Sequence, residues 1–179
     1  MSGRRWGSLH PSPSKPSEAK AWAYTLRLLA HRPRTEQELR TRLTQRGWGE
    51  ETVDQVILRA RKEGLVNDRL FACLYAEGAL LARPRSRRLV AAELRGRGVP
   101  SELAEKAAHQ ALPELSELEL ARRALAQRNN LWKGLAPAKV HRRAAAFLLR
   151  RGFPPDLIRA IVEEEYGPLD DEHAGGSRN

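Results

Sequence analysis

Apolar residues along this chain recur at the spacing of one helix face, and the runs are broken by glycines at regular intervals. Three breaks share one design: LTQRGWGEETVDQVI at 43–57, ELRGRGVPSELAEKA at 93–107 and FLLRRGFPPDLIRAIVEE at 147–164. In each, a Leu is followed four residues later by Gly, then by an apolar residue, two turn or cap residues and an acid. The glycines are Gly47, Gly98 and Gly152, separated by 51 and 54 residues, so one unit is used three times. A Gly just past a helix end takes the left-handed conformation at little cost, and the next residue packs back on the last turn. That predicts three helix stops of the Schellman type, with contacts Leu43–Trp48, Leu94–Val99 and Leu148–Phe153. Gly49, Pro100 and Pro154 then stand at cap positions. Glu51, Glu102 and Asp156 put negative charge in the first turn of the next helix, where the dipole favours it, and Pro155 suits the first helical position.

Upstream of each turn the pattern predicts another helix. Thr35 opens the first, with a capping box to Glu38; Ser86 opens the second at the equivalent position. Pro137 opens the third about one turn early, so that helix is expected to be longer. A first helix precedes each of these. Ser17 leads into a run with Trp22, Leu26 and Leu29 on one face, Asn67 into one with Leu70, Leu74 and Leu81 for burial, and Ser116 forms a capping box with Glu119. Stops follow at Gly64 and Gly167-Pro168. The expected architecture is all-α: nine helices in three tandem three-helix repeats, 18–66, 67–115 and 116–167, forming an elongated, curved helical array. A disordered leader (1–17) and a disordered tail (168–179) are expected to flank it.

Composition agrees with helices. Hydrophobic residues make up 41% of the chain but aromatics only 6%, so Ala and Leu carry the burial. No apolar run is long enough to cross a membrane, and the basic, Pro- and Ser-rich start lacks the apolar stretch of a secretory signal. The single cysteine, Cys73, excludes a disulfide framework and a thiolate zinc site, and its apolar neighbours mark it as a buried small residue. A cytoplasmic protein is expected. With 32 Lys and Arg against 22 Asp and Glu, the net charge of +10 predicts a polyanionic partner, either nucleic acid or an acidic protein surface.

Catalytic constellations are missing from the pattern. His10, His31, His109, His141 and His173 have no metal-ligand spacing, and no phosphate-cradling glycine loop occurs. No enzyme and no cofactor are expected. The basic residues, in contrast, gather around the middle helix of each repeat, and the candidate partner- or DNA-binding residues are Arg42, Arg46, Arg87, Arg88, Arg95, Arg97, Arg142, Arg143 and Arg150. In the second repeat Leu89, Val90 and Leu94 mark the buried face, which leaves Arg87, Arg88 and Arg95 on a side expected to meet a partner. Trp48, Val99 and Phe153 could serve as stacking platforms, but their place after the glycines makes them staples first. Glu50, Glu51, Ser101, Glu102 and Asp156 follow the turns, where a helix-turn-helix reader would need base-contacting side chains.

The segments RPRTEQELRTRLTQRG, EGLVNDRLFA, RRLVAAELRGRGV and FLLRRGF, in this order and spacing, resemble the RecX family of recombination regulators. The resemblance spans about 21–166. It departs at Asn67-Asp68, where the family usually has two acids, and at Arg85, where it usually has Gly. It implies a fold of three three-helix repeats that binds the groove of the RecA–DNA filament; a monomer is expected, with single- or double-stranded DNA as a further partner. The implied effect is to modulate, mostly by inhibition, RecA's ATP hydrolysis, strand exchange and coprotease activity, and so temper homologous recombination and the SOS response. The alternative is a helical protein that competes non-specifically for the DNA lattice.

Overall fold

The structure is a computed structural model that describes residues 18–168. The expected leader and nearly all of the expected tail, with Ser17, His10 and His173, lie outside the described residues. Among the described residues there are ten helices and no strand: α1 (Glu18–His31), α2 (Glu36–Gln45), α3 (Glu50–Lys62), α4 (Asp68–Ala82), α5 (Arg87–Gly96), α6 (Ser101–Gln110), α7 (Glu117–Ala126), α8 (Asn129–Trp132), α9 (Pro137–Arg150) and α10 (Pro155–Tyr166). They form three successive three-helix domains, and the third carries the single turn α8 as an addition to the nine expected helices. By packing, the chain divides into two compact units at Asn67–Asp68.

In the first unit α1, α2 and α3 all touch one another. Leu39 and Leu43 of α2 meet Val53, Val56, Ile57 and Ala60 of α3, with Trp22, Leu29 and Trp48 partly buried around them. Each such aliphatic side chain contributes about 1.5–3 kcal/mol when fully buried. Thr35 Oγ1 accepts the Glu38 N–H at 3.1 Å, as the start signal requires. Leu26 departs from expectation: it is largely exposed, and Ala21 and Thr25 form the buried face of α1 instead.

The second unit holds α4 to α10 on one continuous core. Within it α4 packs on α5 and α6, and α7 packs on α9 and α10. Leu70, Leu74 and Leu81 do not fill this core; they are 56%, 58% and 57% exposed. The buried stripe of α4 is Ala72, Ala76, Ala79 and Leu80. Small side chains let a neighbouring helix approach closely, so the alanine face is the one that packs, and the bulkier leucine face stays outside. Cys73 is half-buried rather than fully enclosed.

All three repeated turns have the predicted hydrogen bonds. Trp48, Val99 and Phe153 donate their backbone N–H to Leu43, Leu94 and Leu148 at 3.3, 3.1 and 3.2 Å. Gly47, Gly98 and Gly152 have φ of 88°, 84° and 80°. Val99 and Phe153 are almost fully buried, which makes them staples. Gly152 has a second constraint: a Cβ there would lie 2.7 Å from Ser86 Oγ and 2.8 Å from Leu89 Cβ. The third repeat's turn is therefore seated directly on the start of α5, and Ser86 N–H donates to Arg151 O at 3.0 Å across that contact.

Candidate interaction surface

The arginines of the middle helices divide by what they touch. In the second repeat most have partners within the protein. The Arg87 guanidinium donates to the carbonyls of Ala111, Leu112 and Leu115 at 3.2, 2.8 and 2.7 Å and pairs with Glu117 at 3.3 Å. Leu112 has a φ of 48°, a left-handed conformation that costs a non-glycine residue about 1–2 kcal/mol. Arg87 thus holds a strained connector between α6 and α7. The expectation that it faces a partner is corrected: its side chain is only 12% exposed, because its length carries the charge back across the helix to the carbonyls of that connector. Its neighbours are engaged too. Arg85 pairs with Glu93 at 2.8 Å, and Tyr75 Oη donates to the same carboxylate at 2.9 Å. Arg97 lies 4.8 Å from the Tyr75 ring, and Arg95 reaches Glu105 at 3.4 Å. Arg88 is exposed and, with Arg95, lines a cleft of about 980 Å³ between α5, α6 and the Gly152 turn.

The third repeat differs. Arg142, Arg143 and Arg150 are exposed on α9, whose opposite face buries His141, Ala144, Phe147 and Leu148. They border a cavity of about 420 Å³ together with Arg128, Leu131 and Trp132, and among the described residues no carboxylate lines it. None of the four arginines has an acidic partner among the described residues. The other wall comes from α8. Trp132 stands edge-on to Phe147 and Tyr166, with ring centroids 6.0 and 6.2 Å apart, and Tyr166 Oη donates to Asn129 Oδ1 at 2.6 Å. Arg128 also lies 5.4 Å from the Phe147 ring. On the other side of Phe147 chemistry, Arg151 sits 5.0 Å from the same ring and donates to Arg83 O and Pro84 O. Burial first, and then Arg85, Arg128 and Arg83, push the Arg151 guanidinium below its ordinary pKa. Several cations gathered with few acids make this end strongly positive, an arrangement that an incoming anion relieves.

Arg128, Leu131 and Trp132 are absent from the sequence-based set. RNNLWKGL carries no helical periodicity, and only Arg128 beside the apolar pair Leu131-Trp132 marks it in the sequence. In the first unit Arg42 is exposed, while Arg46 lies 5.1 Å from the Tyr24 ring. Burial, ahead of the nearby Arg32, lowers the Arg34 pKa. Among the described residues no group of His, Cys, Asp or Glu could hold a metal ion, and no helix is long and apolar enough to cross a membrane.

Family models for the first, second and third three-helix domains of RecX match residues 21–59, 67–107 and 115–162, in chain order. The regulatory protein RecX of Streptomyces coelicolor is 37% identical over 166 residues, covering 91% of this chain and 87% of the relative. The chain belongs to the RecX family. The regulatory protein RecX of Amycolatopsis mediterranei is 36% identical over 138 residues, covering 77% of this chain and 78% of its own. A crystal structure of RecX from Lactobacillus salivarius shares the fold with a TM-score of 0.67 at 20% identity, covering 82% of this chain and 95% of that one. The family members named here are regulatory proteins. The α8 turn and its cavity thus belong to the third RecX domain, and the Arg87 tie joins its second domain to the connector that follows.

Proposed function

We propose that this protein is a non-enzymatic, cytoplasmic regulator that binds the RecA–DNA filament as a monomer. It modulates, mostly by lowering, RecA's ATP hydrolysis, strand exchange and coprotease activity, and so tempers homologous recombination and the SOS response. Membership of the RecX family supports the regulatory role. The observation that carries the contact chemistry is the set of arginines around α9 that have no carboxylate partner among the described residues. Guanidinium forks suit both the carboxylates of a protein surface and the phosphates of DNA. The proposed contacts are Arg142, Arg143 and Arg150 in the third repeat, Arg88, Arg95 and Arg97 in the second, and Arg42 and Arg46 in the first. Arg87 is left out because its donors are engaged. The proposed repeat bounds are 18–66, 67–115 and 116–167. Several weak contacts on one chain add to a strong one, because the later contacts form at high effective concentration.

A second reading, direct competition for the DNA lattice, is favoured by the aromatic wall beside those same arginines. Titration of RecA's single-stranded-DNA-dependent ATP hydrolysis, with DNA sites in large excess, separates the two. Loss of hydrolysis at amounts far below RecA is expected if the filament is the target. Loss only when there is enough protein to coat the DNA would replace the filament reading with lattice competition.

A further inference from the structure

We propose that the cavity between α8 and the outer face of α9 is a binding site for single-stranded nucleic acid. Arg142, Arg143, Arg150 and Arg128 take consecutive phosphates, and an unstacked base lies against Leu131 and Trp132. The proposal deepens the reading of this surface as a contact face by assigning its ligand to one repeat.

Three observations meet here. Four cations border one concavity, and among the described residues none has an acidic partner and no carboxylate lines the wall, so the site favours an anion. The wall also carries an apolar shelf: Leu131 is 63% exposed and Trp132 is partly exposed beside it. Exposed apolar surface next to guanidinium groups is what a base–phosphate unit matches, since the base has a π-face and the phosphate a charge. Finally, the shelf is built by α8, which has no counterpart between the first and second helices of the other repeats. The cavity, at about 420 Å³, suits a nucleotide-sized group. In a duplex the bases are stacked inside and cannot reach the shelf, so a single strand is the better ligand. A duplex would use the arginines alone. An acidic peptide would satisfy the cations but gain nothing from a flat aromatic wall.

A free nucleoside triphosphate shows the same chemistry with one base, and the experiment separates it from a strand. Anisotropy of a fluorescein-labelled oligothymidylate is measured against the full chain, without recombinase, across a salt series. The R142Q/R143Q/R150Q variant is compared with K62Q/R69Q/K106Q, which removes the same charge from exposed positions outside the proposed contacts. The site variant is expected to lose roughly tenfold or more in affinity, and its salt slope to shrink by about 2, since each phosphate contact on a single strand contributes about 0.7. The control is expected to change far less. Leu131→Ala, at an exposed position, is expected to weaken the oligothymidylate while leaving the salt slope and duplex binding unchanged. Equal losses in the two triple variants would overturn the site in favour of diffuse charge. ATP that displaces the strand at comparable concentration, with the same arginine dependence, would overturn the strand assignment in favour of a free nucleotide. With no recombinase present, either negative leaves the filament reading standing.

Discussion

The second and third repeats carry similar sets of arginines on equivalent helices and put them to different uses. In the second, Arg85 and Arg87 tie helices and connectors together, and Arg95 reaches across to α6. In the third, Arg142, Arg143 and Arg150 have no acidic partner among the described residues and surround an open cavity. What separates them is the local supply of acceptors. Around α5 lie Glu93, Glu105, Glu117 and the carbonyls of the strained Leu112 connector. Around the outer face of α9 lie α8 and its aromatic residue instead. Charge on a helix therefore says little about its role until the acceptors within reach are known.

The comparison is broken most severely at the junction between these repeats. Gly152→Ala combines a disfavoured φ with contacts under 3 Å to Ser86 and Leu89, whereas Gly47→Ala meets nothing within 4 Å. Gly47→Ala is expected to cost about 1–2 kcal/mol and Gly152→Ala clearly more, about 3 kcal/mol or above. Urea denaturation of both checks the order; equal losses would mean that the Gly152 turn does not bear on α5.

Next comes Arg87→Ala, which removes the guanidinium from the carbonyls of Ala111, Leu112 and Leu115 and leaves Glu117 only the backbone N–H of residue 87. A loss of about 2–4 kcal/mol is expected, against about 0.5 kcal/mol or less for Arg143→Ala at its exposed position. Equal stability of the two variants would erase the distinction between tying and open arginines.

The smallest effect concerns the α8 wall. Burial, and then Glu165, raise the Tyr166 pKa, so the fold favours the neutral phenol that donates to Asn129. That contribution is fully present below the ordinary tyrosine pKa and is lost as pH rises through the raised one. Tyr166→Phe is expected to lower stability by about 1 kcal/mol at neutral pH and to flatten the decline above about pH 10. A wild-type alkaline decline unchanged in the variant would remove Tyr166 as its source.

The helix boundaries were legible because they rest on local chemistry. Gly47, Gly98 and Gly152 each need only the preceding turn, and Thr35, Ser86 and Ser116 each cap a backbone N–H three residues on, at 3.1 Å. What depended on distant residues was not legible. On α4 the leucines outrank the alanines in hydrophobicity, yet the alanine face is buried, because that choice is made by how closely α5 and α6 approach. Arg87 lies off the apolar face of α5, as the periodicity says. Its partners belong to a connector whose left-handed Leu112 no local pattern announces. The α8 turn is four residues long, too short for any periodicity to mark, and it brings Arg128 and Trp132 to the cavity.

The most direct test of the central claim is the affinity of the R142E/R143E/R150E variant for RecA assembled on single-stranded DNA, with its unfolding midpoint recorded alongside. The account predicts an unchanged midpoint, within about 2 °C, with binding abolished. Binding at the parent's affinity by a fully folded variant would contradict it.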